Sequence, residues 1–144
     1  MRSELPPLRI VPVGKNPEAT LLPLSEDGEF DDATIQQAEQ AFAWKEDGST
    51  HPVHPRLLSI LYGALRHFET PFAWLISGYR KTRITSRHSH GRAADVVLPG
   101  VSDRKLAAYF RKQGYVGVGI YPVSGFVHVD VRAQSFFWVD YSAP

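Results

Sequence analysis

The apolar positions first recur at helical spacing in Ile35, Ala38, Ala41 and Phe42, with Asp31 or Asp32 placed to cap the start and Asp47-Gly48 to stop the pattern. A wider stripe follows the extended His51-Pro-Val-His54-Pro entry. Leu57, Leu58, Leu61, Ala64, Leu65 and Phe68 line one face, and Pro55 suits a first helical position, which predicts the central core helix. The period then shortens. Phe72 to Ile76 reads as a strand, Ala93 to Leu98 as a second, and Ser102 caps a third helix that carries Leu106, Ala107 and Phe110 and ends at Gly114. Tyr115 to Tyr121, Gly125 to Arg132 and Phe136 to Tyr141 read as successive antiparallel strands, joined by Pro122-Val-Ser-Gly125 and a turn near Ala133. Helices followed by a mostly antiparallel sheet predict an α+β fold.

Residues 1–28 differ in character. They hold five of the eleven prolines and the acidic loop Glu26, Asp27, Gly28, Glu29, which predicts an irregular arm docked by Leu8, Ile10, Val11 and Leu21. Residues 29–144 are left as one domain, and 144 residues with 43% hydrophobic content suffice for a single core. There is no internal repeat and no low-complexity segment.

Composition narrows the chemistry. Sixteen Lys and Arg against fifteen Asp and Glu give no global drive toward nucleic acid or an anionic membrane. No apolar run approaches membrane-spanning length, and Met1 to Leu8 has no stretch resembling a signal-peptide core, so the expectation is a soluble, monomeric chain without a visible export signal. The absence of cysteine removes disulfides, thiolate metal sites and cysteine nucleophiles together. Any metal must be held by histidine and carboxylate.

Two segments offer such groups. His88 and Asp95 flank a turn in which Gly91 can supply unusual dihedrals, and on the strand that follows Ala93 and Asp95 face one side, Ala94 and Val96 the other. Asp95 precedes Val-Val-Leu, and a carboxylate in such a strand needs a cationic partner. Phe126 to Arg132 alternates likewise, placing Phe126, His128, Asp130 and Arg132 on one face. Taken singly, each segment has an ordinary reading: a solvated polar turn for Ser-Arg-His-Ser-His-Gly, and a sheet histidine with Asp130 paired to Arg132 or another arginine for the strand. Together they point to a metal site.

The pattern Ser86-x-His88-x-x-Gly91-x-Ala93-x-Asp95 resembles the signature of zinc D-alanyl-D-alanine peptidases. Ile76-Ser77-Gly78-Tyr79-Arg80, Leu98-Pro99-Gly100 and Val118-Gly119-Ile120-Tyr121-Pro122 through Gly125-Phe126-Val127-His128-Val129-Asp130 are similar to the murein endopeptidase K branch of that group, a likeness running from about Phe30 to Asp140. The resemblance implies a small mixed domain of the DD-peptidase/Hedgehog-like kind whose antiparallel sheet carries one zinc ion. It implies His88, Asp95 and His128 as the ligands and cell-wall peptides as the substrate, cleaved by an endopeptidase or carboxypeptidase acting in the periplasm or outside the cell.

The same resemblance suggests Arg80 as the group that polarises the substrate carbonyl or holds its carboxylate. Asp130, two residues beyond a ligand on the same face, is the candidate catalytic base; if it instead orients His128, then His90 becomes the proton shuttle. Ser86, His90, Tyr79 and Tyr121 are expected around the ligands or the substrate, with Trp138 as a further cleft wall. Family members commonly continue with Ser-Pro and a longer loop where this chain has Lys81-Thr-Arg-Ile-Thr85, which bears on substrate preference. Arg80, Lys81, Arg83, Arg87 and Arg92 form a cationic run suited to carboxylate-bearing peptides. A zinc-containing module that binds cell-wall peptide without cleaving it is the competing expectation. A nuclease built on His88 and His90 is disfavoured by the neutral charge.

Overall fold

The computed structural model describes residues 5–14, 18–81 and 87–143. Seven strands form one mixed sheet: β1 (Leu8–Pro12), β2 (Thr20–Leu22), β3 (Ala73–Ser77), β4 (Ala93–Val97), β5 (Val116–Tyr121), β6 (Phe126–Val131) and β7 (Phe136–Val139), in the order β2-β1-β3-β4-β6-β5-β7. Helices α1 (Asp32–Ala41), α2 (Pro55–Phe68) and α3 (Asp103–Arg111) complete an α+β domain. Among the described residues no helix is long and apolar enough to cross a membrane.

The helices begin where the sequence places them. Asp31 caps α1 by accepting from Thr34 N–H, Pro55 opens α2 behind His54, and Ser102 accepts from Lys105 N–H at the start of α3. Helix α1 stops at Ala41, well before Asp47, where the chain turns at Phe42 and packs that ring into the core. Leu57, Leu58, Ile60, Leu61, Ala64 and Leu65 of α2 are all buried, and each large aliphatic side chain contributes about 1.5–3 kcal/mol of transfer free energy. They share one core with Leu106 and Phe110 of α3 and with Ala94, Val96, Val116, Val118, Val127 and Val129 of the sheet. The valines of the alternating strands thus face the helices. Their neighbours face the other way.

Two parts differ from expectation. Leu8–Pro12 and Thr20–Leu22, expected as an irregular arm, are strands: β1 pairs antiparallel with β2 and parallel with β3, and the alternation that buries Leu8, Ile10 and Leu22 leaves Leu21 exposed. The last strand also departs. β7 does not continue the meander beside β6; the chain passes the end of the β5–β6 hairpin and runs parallel to β5 along its outer edge. The consequence falls on the site, because this route sets Trp138 beside Gly119 and Phe136 beside Gly117.

Candidate metal centre

The open face of the sheet carries the polar residues that a core would exclude. Antiparallel pairing sets Asp95 on β4 opposite His128 on β6, and Ala93 opposite Asp130. His88 arrives from a 3-10 turn, His88–His90, closed by Gly91 in the left-handed region at φ 65°. Only glycine fits there, because a Cβ would also run into the Pro52 carbonyl oxygen. Between β3 and β4 the register shifts so that Ser77, rather than Ile76, stands opposite Asp95. This bulge re-aims the end of β3 toward the site.

His88, Asp95 and His128 are each less than a tenth exposed, and their ligand atoms converge. His88 Nε2 lies 3.2 Å from His128 Nδ1 and 3.4 Å from Asp95 Oδ1, and His128 Nδ1 lies 2.9 Å from Asp95 Oδ1. Three atoms bound to one zinc at ~2.0–2.1 Å in a tetrahedral arrangement stand about 3.3 Å apart, close to all three separations.

The outer ring nitrogens decide what faces the centre. His88 Nδ1 is 2.8 Å from the Gly78 carbonyl, which only accepts, so Nδ1 carries the proton and Nε2 turns a lone pair inward. His128 Nε2 donates to Asp130 Oδ2 at 2.7 Å, turning Nδ1 inward. With both rings neutral, two lone pairs and a carboxylate oxygen therefore meet with no donor between them. Such a group needs a shared cation, either a proton on one ring or a metal ion, and the set of two imidazoles and one carboxylate fits zinc.

Around the three donors lies a supporting layer. Asp130 is fully buried; Arg132 donates to it from Nε at 2.6 Å and from Nη2 at 2.5 Å, and Gly117 N–H donates at 3.2 Å. Arg87 Nε stands 3.7 Å from the same carboxylate. Arg80 donates from Nη2 to Asp95 Oδ2 at 2.6 Å and from Nε to Ser77 Oγ at 2.8 Å. Burial alone would raise the pKa of Asp95, but with a histidine protonated and no metal bound, the bonds from His128 and His88 prevail and hold it well below the usual carboxylate range. Asp130 behaves the same way, with burial outweighed by Arg132 and His128. His128 shows the converse: burial disfavours its charged form, yet the bonds to Asp130 and Asp95 raise its pKa above the ordinary value.

The sheet also explains the glycines. Gly117 and Gly119 on β5 lie opposite Asp130 and His128, and side chains there would collide with the Arg132 guanidinium and the Trp138 indole. The vacated space lets Trp138 settle 5.2 Å from the His128 ring, where its Nε1–H donates to the Tyr121 hydroxyl at 3.1 Å.

Of the residues expected at the site, the fold brings together His88, Asp95, His128, Asp130 and Arg80, with Tyr121 joined through Trp138. Tyr79 stacks on His51 at 5.3 Å, and His90 is exposed on the turn that carries His88. Ser86 and Arg83 lie outside the described residues. The sequence reading did not single out the Gly78 carbonyl, nor the role of Gly117 and Gly119. A signal for the glycines was present, since glycine at alternate positions in a valine-rich strand marks a close approach from one face.

A model of the peptidase M15 family matches residues 32–130, more than half of the chain and the whole stretch from α1 to Asp130. The chain belongs to the peptidase M15 family. M15 peptidases are zinc-dependent metallopeptidases, and this M15 chain presents a His-Asp-His group able to bind a metal ion. The M15 match does not extend to β1, β2 or β7, nor to Arg132. No curated protein and no solved structure gives a significant match.

Proposed function

We propose that this protein is a zinc-dependent hydrolase of amide bonds in bacterial cell-wall peptides, an endopeptidase or carboxypeptidase of the murein endopeptidase K-like branch, acting as a monomer in the periplasm or outside the cell. The observation that carries the reading is the convergence of His88 Nε2, Asp95 Oδ1 and His128 Nδ1 with their lone pairs facing one point. Zinc held by these three atoms supplies a Lewis acid and an acidified water for amide hydrolysis.

The chain's own residues prepare that chemistry. Gly78 and Asp130 fix the tautomers and ring planes of His88 and His128. Arg80 occupies Asp95 Oδ2, leaving Oδ1 for the centre, and its partly exposed guanidinium can also reach a substrate carbonyl. Asp130 acts as a positioning residue. Its oxygens are engaged by Arg132, His128 and Gly117, and it is sealed from solvent, which supports a positioning role over that of general base. In this reading proton exchange passes to His90, exposed on the turn that carries His88.

The engagement of Asp130 also favours a second reading, a zinc-containing module that binds cell-wall peptide without cleaving it. Zinc-loaded, chelated and His128→Ala protein incubated with purified muropeptides, with binding measured calorimetrically and products followed by mass spectrometry, separates the two. Zinc-dependent hydrolysis lost in His128→Ala is the expected result. Binding without any mass change would leave the module, and neither binding nor cleavage would overturn both.

A further inference from the structure

Beside the metal centre lies a second feature, all of whose lining except Arg87 falls outside the family match. Arg87, Arg132, Ala133, Gln134, Ser135 and Phe136 line a cleft of about 350 Å³. It adjoins the site through two short chains of contact. Arg87 and Arg132 both approach Asp130, which holds His128, and the Phe136 ring lies 5.8 Å from Trp138, which covers His128.

The charge in this cleft is unbalanced. Two guanidinium groups face one carboxylate, leaving an excess positive charge, and among the described residues the lining contains no acid. Asp130 already uses one edge of Arg132, through Nε and Nη2, whereas among the described residues the Arg87 side chain makes only the longer contact and is half-exposed. Structural neutralisation of Asp130 needs one arginine. The second is in excess of that need.

Phe136 adds an apolar wall. It is 60% exposed, although burying such a ring is worth about 1.5–3 kcal/mol, and the Arg132 guanidinium stands 5.9 Å from its centroid. An excess cation, an exposed ring and neutral polar groups at Gln134 and Ser135 suit a ligand with a carboxylate on a short aliphatic stem.

We propose that this cleft is a specificity subsite that takes a free carboxylate of the peptide substrate, so that the enzyme prefers stem peptides with ionised carboxylates over amidated ones. Arg87 supplies the carboxylate contact, and Phe136 packs against the aliphatic part next to it. The proposal rests on the peptidase reading for the identity of the ligand, and its test does not depend on turnover.

Zinc-loaded wild type, Arg87→Gln, Arg87→Lys and Gln134→Glu proteins are titrated calorimetrically with a linear cell-wall tetrapeptide, once with its carboxylates free and once with them amidated. Wild type should bind the free acid about tenfold more tightly or better, as expected for a charge-assisted hydrogen bond. Arg87→Gln should abolish the preference, Arg87→Lys should keep part of it, and Gln134→Glu, which puts an anion in the cleft, should weaken acid binding and leave the amide unaffected. Equal binding of acid and amide by wild type, an intact preference in Arg87→Gln, or no detectable binding of the free acid overturns the subsite. Preference without cleavage overturns only the peptidase reading, and cleavage without preference overturns only the subsite.

Discussion

Gly119 lies directly opposite His128 across the β5–β6 ladder, and the volume its absent side chain leaves is taken by the Trp138 indole. A ligand histidine on an open sheet would be wetted and free to rotate about its χ angles. Here the indole covers one side of the ring and Asp130 fixes its outer nitrogen. Gly119→Ala should therefore displace Trp138 without unfolding the sheet. The expected result is unchanged far-ultraviolet circular dichroism, a shift in tryptophan emission, and zinc affinity lower by about tenfold, the range for loss of a group that supports a ligand. Unaltered zinc affinity with a shifted emission would show that the indole does not hold His128.

Asp130 has two candidate roles that make different demands on kinetics. As a positioning residue, its replacement in Asp130→Asn weakens zinc binding by about 10–100-fold, while kcat at saturating zinc falls only modestly. As the general base, the same change cuts kcat by about 10²–10⁴ even with zinc saturated. The hydrogen bonds from Arg132, His128 and Gly117 support the first outcome. Zinc titration and kcat measured on the same preparation distinguish them. Removing the carboxylate also leaves Arg132 without its buried partner, so a lower melting temperature should accompany either result.

The histidines and carboxylates of the centre were legible in the sequence because their neighbours alternate. Val127, Val129 and Val131 fix one face of β6, so His128 and Asp130 had to share the other. The three helices were legible through Asp31, Pro55 and Ser102 at their starts. The place of β7 was not, because pairing order depends on which edge a chain can reach after a turn, and a run of aromatic residues carries no record of that. Strands β1 and β2 were obscured by the prolines around them, although of the two only β2 is an edge and Pro12 stands at the last position of β1, where a proline costs the ladder little. The Gly78 carbonyl was invisible for a different reason: any residue supplies a carbonyl, and only the bulge in β3 and the close fit of Gly78 against the Phe42 backbone aim this one at His88.

The pH dependence of stability should reverse with metal content. In the zinc-free protein His128 has a pKa above its ordinary 6.5, so its charged form contributes stability fully present below about that pH and lost as pH rises through the raised folded value. Zinc needs the same Nδ1 deprotonated. Its affinity therefore falls as pH drops below the raised value, by up to about tenfold per pH unit for one displaced proton. Asp95, held far below the usual carboxylate range, stays ionised throughout and adds no slope. The gap in melting temperature between zinc-loaded and chelated protein should widen as pH rises from about 6 to 8. A gap independent of pH would show that no proton is exchanged for the metal at His128.

Arg80 shares Asp95 with the metal centre, and this makes its contribution depend on whether zinc is present. In the metal-free protein Arg80 donates to Asp95 Oδ2, while the histidines meet Oδ1. Losing that charge-assisted bond in Arg80→Gln should cost about 1–3 kcal/mol, reduced toward the lower end because the arginine is 41% exposed and its charge is screened. Zinc can replace the missing cation at the same carboxylate, so the variant should melt several degrees below wild type when chelated and close to it when loaded. Catalysis supplies the second readout. If Arg80 also polarises the substrate carbonyl, kcat of the loaded variant falls by about 10²–10³ although its stability is restored. A loaded variant with normal kcat confines Arg80 to orienting Asp95, and one that stays destabilised with zinc bound shows that the Ser77 contact, rather than neutralisation of Asp95, is what Arg80 contributes.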